Sequence, residues 1–150
     1  MNIPKPVKKV KPTVYELIKT RKKRKKSPRQ TLIKACDELW SQCVIKRDLT
    51  CRWSGEDTYL SAHHIRSRGH WATRWQIDNG LTLSWRKVHF LQKANPERFQ
   101  DIVIDVIGDE TYQDLKRQSL VVIDLTIADL QDRKEYLQKE LAKFKSGDYL

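Results

Sequence analysis

The sequence predicts an α+β domain preceded by a disordered basic tail, on three observations. Apolar residues recur at helical spacing within 32–43, 99–107 and 127–144. Between the first two of these stretches, short β-branched and aromatic runs alternate with turn residues. Charge is also divided unevenly: residues 1–26 carry eleven Lys/Arg against one acid, Glu16, whereas residues 27–150 carry nineteen against eighteen. The net charge of +11 therefore belongs almost wholly to the tail. A chain of 150 residues fits one domain and buries enough surface to need no disulfide staples.

Residues 1–26 form the tail. Pro4, Pro6 and Pro12 stand among lysines, with too little apolar content to fold, apart from a short helix around Val14, Leu17 and Ile18. The run Arg21 to Lys26 repels itself and stays solvated. Its candidate phosphate contacts are Lys22, Lys23, Arg24, Lys25 and Lys26, because each cation that neutralises a phosphate releases counterions. The plainer reading of the same run is a solubilising tail.

Residues 27–125 form the main domain. Ser27-Pro28 is a helix start, with Ser as cap and Pro in the first turn. Leu32, Cys36, Leu39, Trp40 and Cys43 then mark one buried face up to about Lys46, so Trp40 and both cysteines read as core. Cys51–Trp53 and Tyr59–Ala62 read as strands joined by the turn Ser54-Gly55-Glu56-Asp57. A polar loop with Arg66, Arg68, His70 and Arg74 follows, then the turn Asp78-Asn79-Gly80 and a strand at Leu81–Leu83. A helix is expected from near Trp85, carrying His89 and Phe90. Asn95-Pro96 caps the next, with Phe99, Val103, Val106 and Ile107 as its stripe and Gly108 as its stop. Tyr112 and Leu115 mark a further short helix, and Leu120–Leu125 fits either a strand or a buried connection. Residues 126–150 form a last helix whose Ile127, Leu130, Leu137, Leu141 and Phe144 lie near heptad spacing. That stripe suits packing on the domain or a contact between two copies.

These features exclude several classes. No run approaches the ~20 apolar residues of a membrane span, and the N-terminus has no apolar core of a secretory signal. Three cysteines cannot pair completely, and Cys36 and Cys43, seven apart on one helix, sit about 10 Å apart along its axis. A reduced, cytoplasmic protein is expected.

All four histidines, His63, His64, His70 and His89, fall within a short stretch that also holds Asn79. A strand end, a turn and a helix can bring such positions around one ion, and imidazole is a common ligand of divalent metals. A second imidazole can act as general base on water, and Asn79 can orient that base through its side-chain carbonyl. Arg66, Arg68 and Arg74 lie beside them, with forked guanidiniums suited to phosphate.

The run Ala62-His63-His64-Ile65, then Asp78-Asn79-Gly80-Leu81-Thr82-Leu83, then His89, resembles the HNH nuclease motif. The segment from His64 through Trp75, with Asp78-Asn79 after it, resembles more narrowly the NinG (Rap) family of phage recombination endonucleases. Cys36–Trp40, Arg47-Asp48, Cys51, Ile107-Gly108, Tyr112 and Leu115 extend the likeness over roughly residues 30–118. The resemblance implies a small ββα-metal nuclease unit embedded in helices and cleavage of branched DNA. It also implies His64 as general base, Asn79 as its orienting residue, and His63 and His89 as ligands of one divalent ion. Mg²⁺ or Mn²⁺ is expected in the cell, and two imidazoles also suit Zn²⁺ or Ni²⁺ in vitro. Arg68 or Arg74 is expected to stabilise the transition-state charge, and the remaining arginines to touch other phosphates or pair with acids such as Asp78.

The sequence departs from the family at its cysteines. Family members often hold this unit with Cys pairs around a structural zinc. Here Ser54 stands where a partner of Cys51 would be, and Ser84–Val88 holds no cysteine, so no structural zinc is expected. The step from Asn79 to His89 is one residue longer than usual. These departures support an alternative, a non-catalytic DNA-binding protein on a degenerate HNH scaffold. A basic RNA-binding protein would rest on the tail alone. Two symmetric incisions at a junction would favour a homodimer, within the host cell's cytoplasm if the protein is phage-encoded.

Overall fold

The computed structural model describes residues 25–85 and 94–146. The tail up to Arg24, with Lys22, Lys23 and the short helix expected around Val14, lies outside the described residues. So do His89 and Phe90 with the helix expected to carry them.

Helix α1, Pro28–Asp48, begins with a complete capping box. The Ser27 hydroxyl accepts from Gln30 N at 3.2 Å, and the Gln30 side chain accepts from Ser27 N at 3.1 Å. The helix runs two residues beyond the expected end, and these two, Arg47 and Asp48, bind the sheet. That sheet has two strands, β1 (Leu60–His64) and β2 (Gly80–Ser84), paired antiparallel with Ala62 opposite Thr82, His63 opposite Leu81 and His64 opposite Gly80. Helices α2 (Pro96–Ile107), α3 (Asp109–Gln118) and α4 (Ile127–Ser146) complete the described residues. The arrangement is α+β. Asn95 caps α2 by accepting from Arg98 N, and Gly108 follows with φ +80°, as their positions in the sequence suggest.

Helix α4 packs along α1 in parallel. Cys36 Sγ donates to Leu130 O at 3.6 Å and Cys43 Sγ to Leu137 O at 3.5 Å, so the same seven-residue step registers both helices. Leu130, Leu137 and Leu141 join Cys36, Trp40, Cys43, Val44 and Trp75 in one core. Burial pushes both of these thiols up to about 11, so they stay protonated and act as small apolar residues. All three cysteines are free.

The sheet is held between two layers. Its first face meets α1. Thr82 Oγ1 donates to Val44 O, the Asp48 carboxylate accepts from Thr82 N at 2.7 Å, and Arg47 donates to Ile77 O and Gly80 O. A Cβ at Gly80 would lie 2.3 Å from Val44 Cγ2 and 2.9 Å from Trp40, so only glycine permits this approach. The opposite face puts Leu81 and Leu83 against Phe99 and Val103 of α2, with Cys51 in the same cluster.

Two readings of the sequence are corrected here. Cys51–Trp53 is not a strand: the chain turns at once, with Gly55 N donating to Cys51 O and Cys51 N to Glu56 O. Among the described residues, one backbone–backbone bond from this run, from Arg52 N to Thr82 O, reaches β2. The turn-forming Ser54-Gly55 closes too early for a ladder to propagate. Leu120–Leu125 contains neither strand nor helix, and it is not a buried connection, because Leu120 and Val122 are exposed. No helix among the described residues is long and apolar enough to cross a membrane.

Candidate active site

His64 ends β1 on the face that meets α1. With no side chain on Gly80 opposite, Trp40 comes close enough for its ring to stack on the His64 imidazole, with centroids 3.7 Å apart and planes inclined by 18°. The ring edge is fixed as well: Nε2 lies 2.9 Å from Arg74 O. A carbonyl oxygen only accepts, so Nε2 carries the proton and Nδ1 keeps the lone pair. Burial pushes the His64 pKa down to about 4, with the Arg68 and Arg74 charges adding to the fall against the opposing pull of the Arg74 carbonyl and Asp37. The imidazole is therefore neutral at ordinary pH.

Asn79 is fully buried at the end of a one-turn 3-10 helix, Ile77–Asn79. Its Oδ1 accepts from Arg66 N at 2.7 Å, and its Nδ2 donates to Arg66 O and Thr73 O at 3.1 and 2.9 Å. Asn79 O also accepts from Ile65 N. The residue thus ties the two ends of the loop between the strands. This corrects the expectation that the Asn79 side-chain carbonyl orients the base: that carbonyl is taken by a backbone amide, and Arg74 O holds the imidazole.

His63 faces the other way. Alternation along a strand sends adjacent side chains to opposite faces, and the His63 ring meets Phe99 of α2 edge-on at 5.7 Å. Both histidines nonetheless line one open cavity of about 600 Å³, together with Asp37, Trp40, Ser41 and Arg68. His70 is half-buried and contributes its carbonyl to the loop, accepting from Thr73 N.

The arginines divide by partner. Arg68 is exposed beside the cavity. Arg66 donates through Nε to Ser119 Oγ at 3.1 Å. Arg74 is paired with Asp37, through Nε and Nη2 at 3.0 and 2.8 Å. Asp78, the acid expected to pair with a loop arginine, instead lies 3.8 Å from Arg47. Lys25 and Lys26 are exposed ahead of α1.

Two residues of this site were not singled out for it in the sequence. Asp37 and Trp40 stand one turn apart on α1, and the spacing that puts both on one helix face was the available signal. A polar acid on the edge of an apolar stripe, three residues before a tryptophan, marks a face that meets something other than plain core.

Among the described residues, no group of three or more His, Cys, Asp or Glu side chains is placed to hold a metal ion. The Asp37 carboxylate is committed to Arg74 and to Trp75 Nε1, and His64 Nε2 to a carbonyl. Of the two expected ligands, His63 is the one within the described residues, so a metal site here rests on His89 for its second imidazole. Cys51 Sγ accepts from Ser54 N at 3.4 Å, so in this structure the would-be zinc partner supplies a hydrogen bond.

No family model, curated protein or solved structure matches the chain.

Proposed function

We propose that this protein is a metal-dependent DNA endonuclease of the HNH type, acting on branched recombination intermediates. The observation that carries the reading is His64: a neutral imidazole, held in one tautomer, on the wall of an open cavity that Arg68 also lines. A water molecule beside Nδ1 loses its proton to that nitrogen as its oxygen attacks phosphorus, and the opposite P–O bond breaks. Arg68 offers positive charge to the phosphoryl oxygens. Asn79 keeps the arginine-bearing loop closed over the strand ends. His63 and His89 would hold a divalent ion, Mg²⁺ or Mn²⁺, which supplies charge stabilisation for the leaving oxygen.

The basic tail adds affinity without sequence preference. Deleting residues 1–26 flattens the dependence of log affinity on log salt by several units, at about 0.9 per phosphate contact on duplex DNA. A homodimer making paired incisions would need a surface other than the Leu130, Leu137 and Leu141 stripe of α4, which is covered by α1.

The opposite placement of His63 and His64 on the hairpin favours a second reading, a non-catalytic DNA-binding protein on the same scaffold. Nicking of supercoiled plasmid in Mg²⁺ or Mn²⁺ separates the two. The nuclease nicks and His64→Ala does not; a binder retards DNA in a gel and cuts nothing.

A further inference from the structure

The Arg74 side chain is used up inside the protein. Nε and Nη2 form a fork on the Asp37 carboxylate, and Nη1 donates to Arg68 O at 2.9 Å. The guanidinium also lies over the rings of Trp71 and Trp75, at 4.7 and 5.4 Å from their centroids. The side chain is only 13% exposed. A phosphate would find few of its donors available. Asp37 receives a third bond, from Trp75 Nε1 at 2.8 Å, so one carboxylate on α1 grips two successive residues of the loop. Burial works against the charge on Asp37, but the bonds from Arg74 and Trp75 outweigh it and hold the carboxyl below its usual range.

The backbone carbonyl of that gripped segment, Arg74 O, is the group that accepts from His64 Nε2. Three residues along the same helix, Trp40 stacks on the His64 ring. Helix α1 therefore reaches the imidazole twice: Trp40 sets the plane of the ring, and Asp37 reaches its edge through Arg74.

We propose that Asp37 and Arg74 are positioning residues that fix the Arg74 carbonyl and thereby hold His64 with its proton on Nε2 and its lone pair on Nδ1. The proposal rests on the nuclease reading for its consequence in catalysis, but not for its geometry. It moves Arg74 from the phosphate-binding set to the machinery that orients the base, and it leaves Arg68 to face the substrate. A base held at both face and edge does not have to reorganise when the proton moves.

The test uses full-length protein with ¹⁵N-labelled histidine. In the wild type, His64 shows a single Nε2–H tautomer whose ring proton is protected from exchange. Asp37→Asn leaves an acceptor for Trp75 but removes the charge that the Arg74 fork requires. Protection then falls tenfold or more, and turnover at saturating DNA falls about ten- to hundredfold while DNA affinity stays within about twofold. Arg74→Lys keeps a cation for Asp37 and loses the fork and the Arg68 contact. It shows the same changes to a smaller degree, which covers the case in which Asp37→Asn fails to fold. Unchanged protection in both variants overturns the proposal. So does a loss of DNA affinity in Arg74→Lys that matches its loss of turnover with protection intact, because Arg74 would then be a phosphate ligand. If the wild type cuts no DNA while protection still falls in both variants, the positioning role stands and the nuclease reading alone fails.

Discussion

The two faces of the β-hairpin are built from different chemistry. Toward α1 the contacts are polar and directional: Asp48 to Thr82 N, Thr82 Oγ1 to Val44 O, Arg47 to the carbonyls of Ile77 and Gly80, and Trp40 on the ring of His64. Toward α2 they are apolar: Leu81, Leu83, Phe99 and Val103, with the His63 ring against Phe99. Hydrogen bonds to buried groups fix register and angle, whereas apolar contacts supply burial and tolerate small shifts. The face that carries the His64 imidazole also carries the directional bonds. The strand alternation that separates His63 from His64 therefore sets one ring edge-on to Phe99 and holds the other at both face and edge.

The largest stability effect is expected on the α1 face. Asp48→Ala removes the forked carboxylate partner of the half-buried Arg47 guanidinium, which keeps the carbonyls of Ile77 and Gly80, and leaves the buried Thr82 amide without its acceptor, a loss of about 3 kcal/mol. Phe99→Leu on the α2 face should cost less than about 1.5 kcal/mol, because an apolar side chain still fills the space. Urea unfolding of both variants measures the contrast, and equal losses would remove the distinction between the faces. Gly80→Ala falls between them. Its Cβ would lie 2.3 Å from Val44 and 2.9 Å from Trp40, so helix and strand must separate by about 1 Å to restore ordinary contact, and overpacking of this kind costs about 1–3 kcal/mol. It should also loosen the Trp40–His64 stack, so its loss of turnover should exceed that of Phe99→Leu.

A smaller effect concerns pH. Burial lowers the His64 pKa from 6.5 to about 4, so between those values the unfolded chain binds a proton that the folded one does not. The contribution of neutral His64 to stability is full above about pH 6.5 and is lost progressively as pH falls toward 4. His64→Asn should flatten this part of the stability profile relative to wild type, as thermal unfolding across the range would show. A wild-type slope retained in the variant would assign the pH dependence to other groups.

What could be read from the sequence follows the range of each interaction. The helix starts at Ser27-Pro28 and Asn95-Pro96 were legible because a cap is satisfied within three residues. The Thr126 start was legible for the same reason, and its hydroxyl accepts from Asp129 N. The strand at Leu81–Leu83 was legible as an apolar run after an Asn-Gly turn, although burial against α1 extends it to Gly80–Ser84. The Cys51–Trp53 run has strand-forming composition, yet the early turn prevents pairing, and composition does not report pairing. In the site, His64 and Asn79 were marked by residue type and spacing. Their partners were not, because the bond from His64 to Arg74 O involves a backbone carbonyl that any residue supplies. The Asp37–Arg74 pair spans a separation in sequence that no local pattern encodes.

In the proposed function, His64 is a base that is held in place and acts on water, without gripping DNA. The most direct test compares His64→Ala with wild type in two assays on one preparation: plasmid nicking in Mn²⁺ and gel-shift affinity at fixed salt. Nicking is expected to fall by about 10²-fold or more, while DNA affinity stays within about twofold. Nicking by the variant at the wild-type rate, or a loss of affinity as large as the loss of cleavage, would contradict that role.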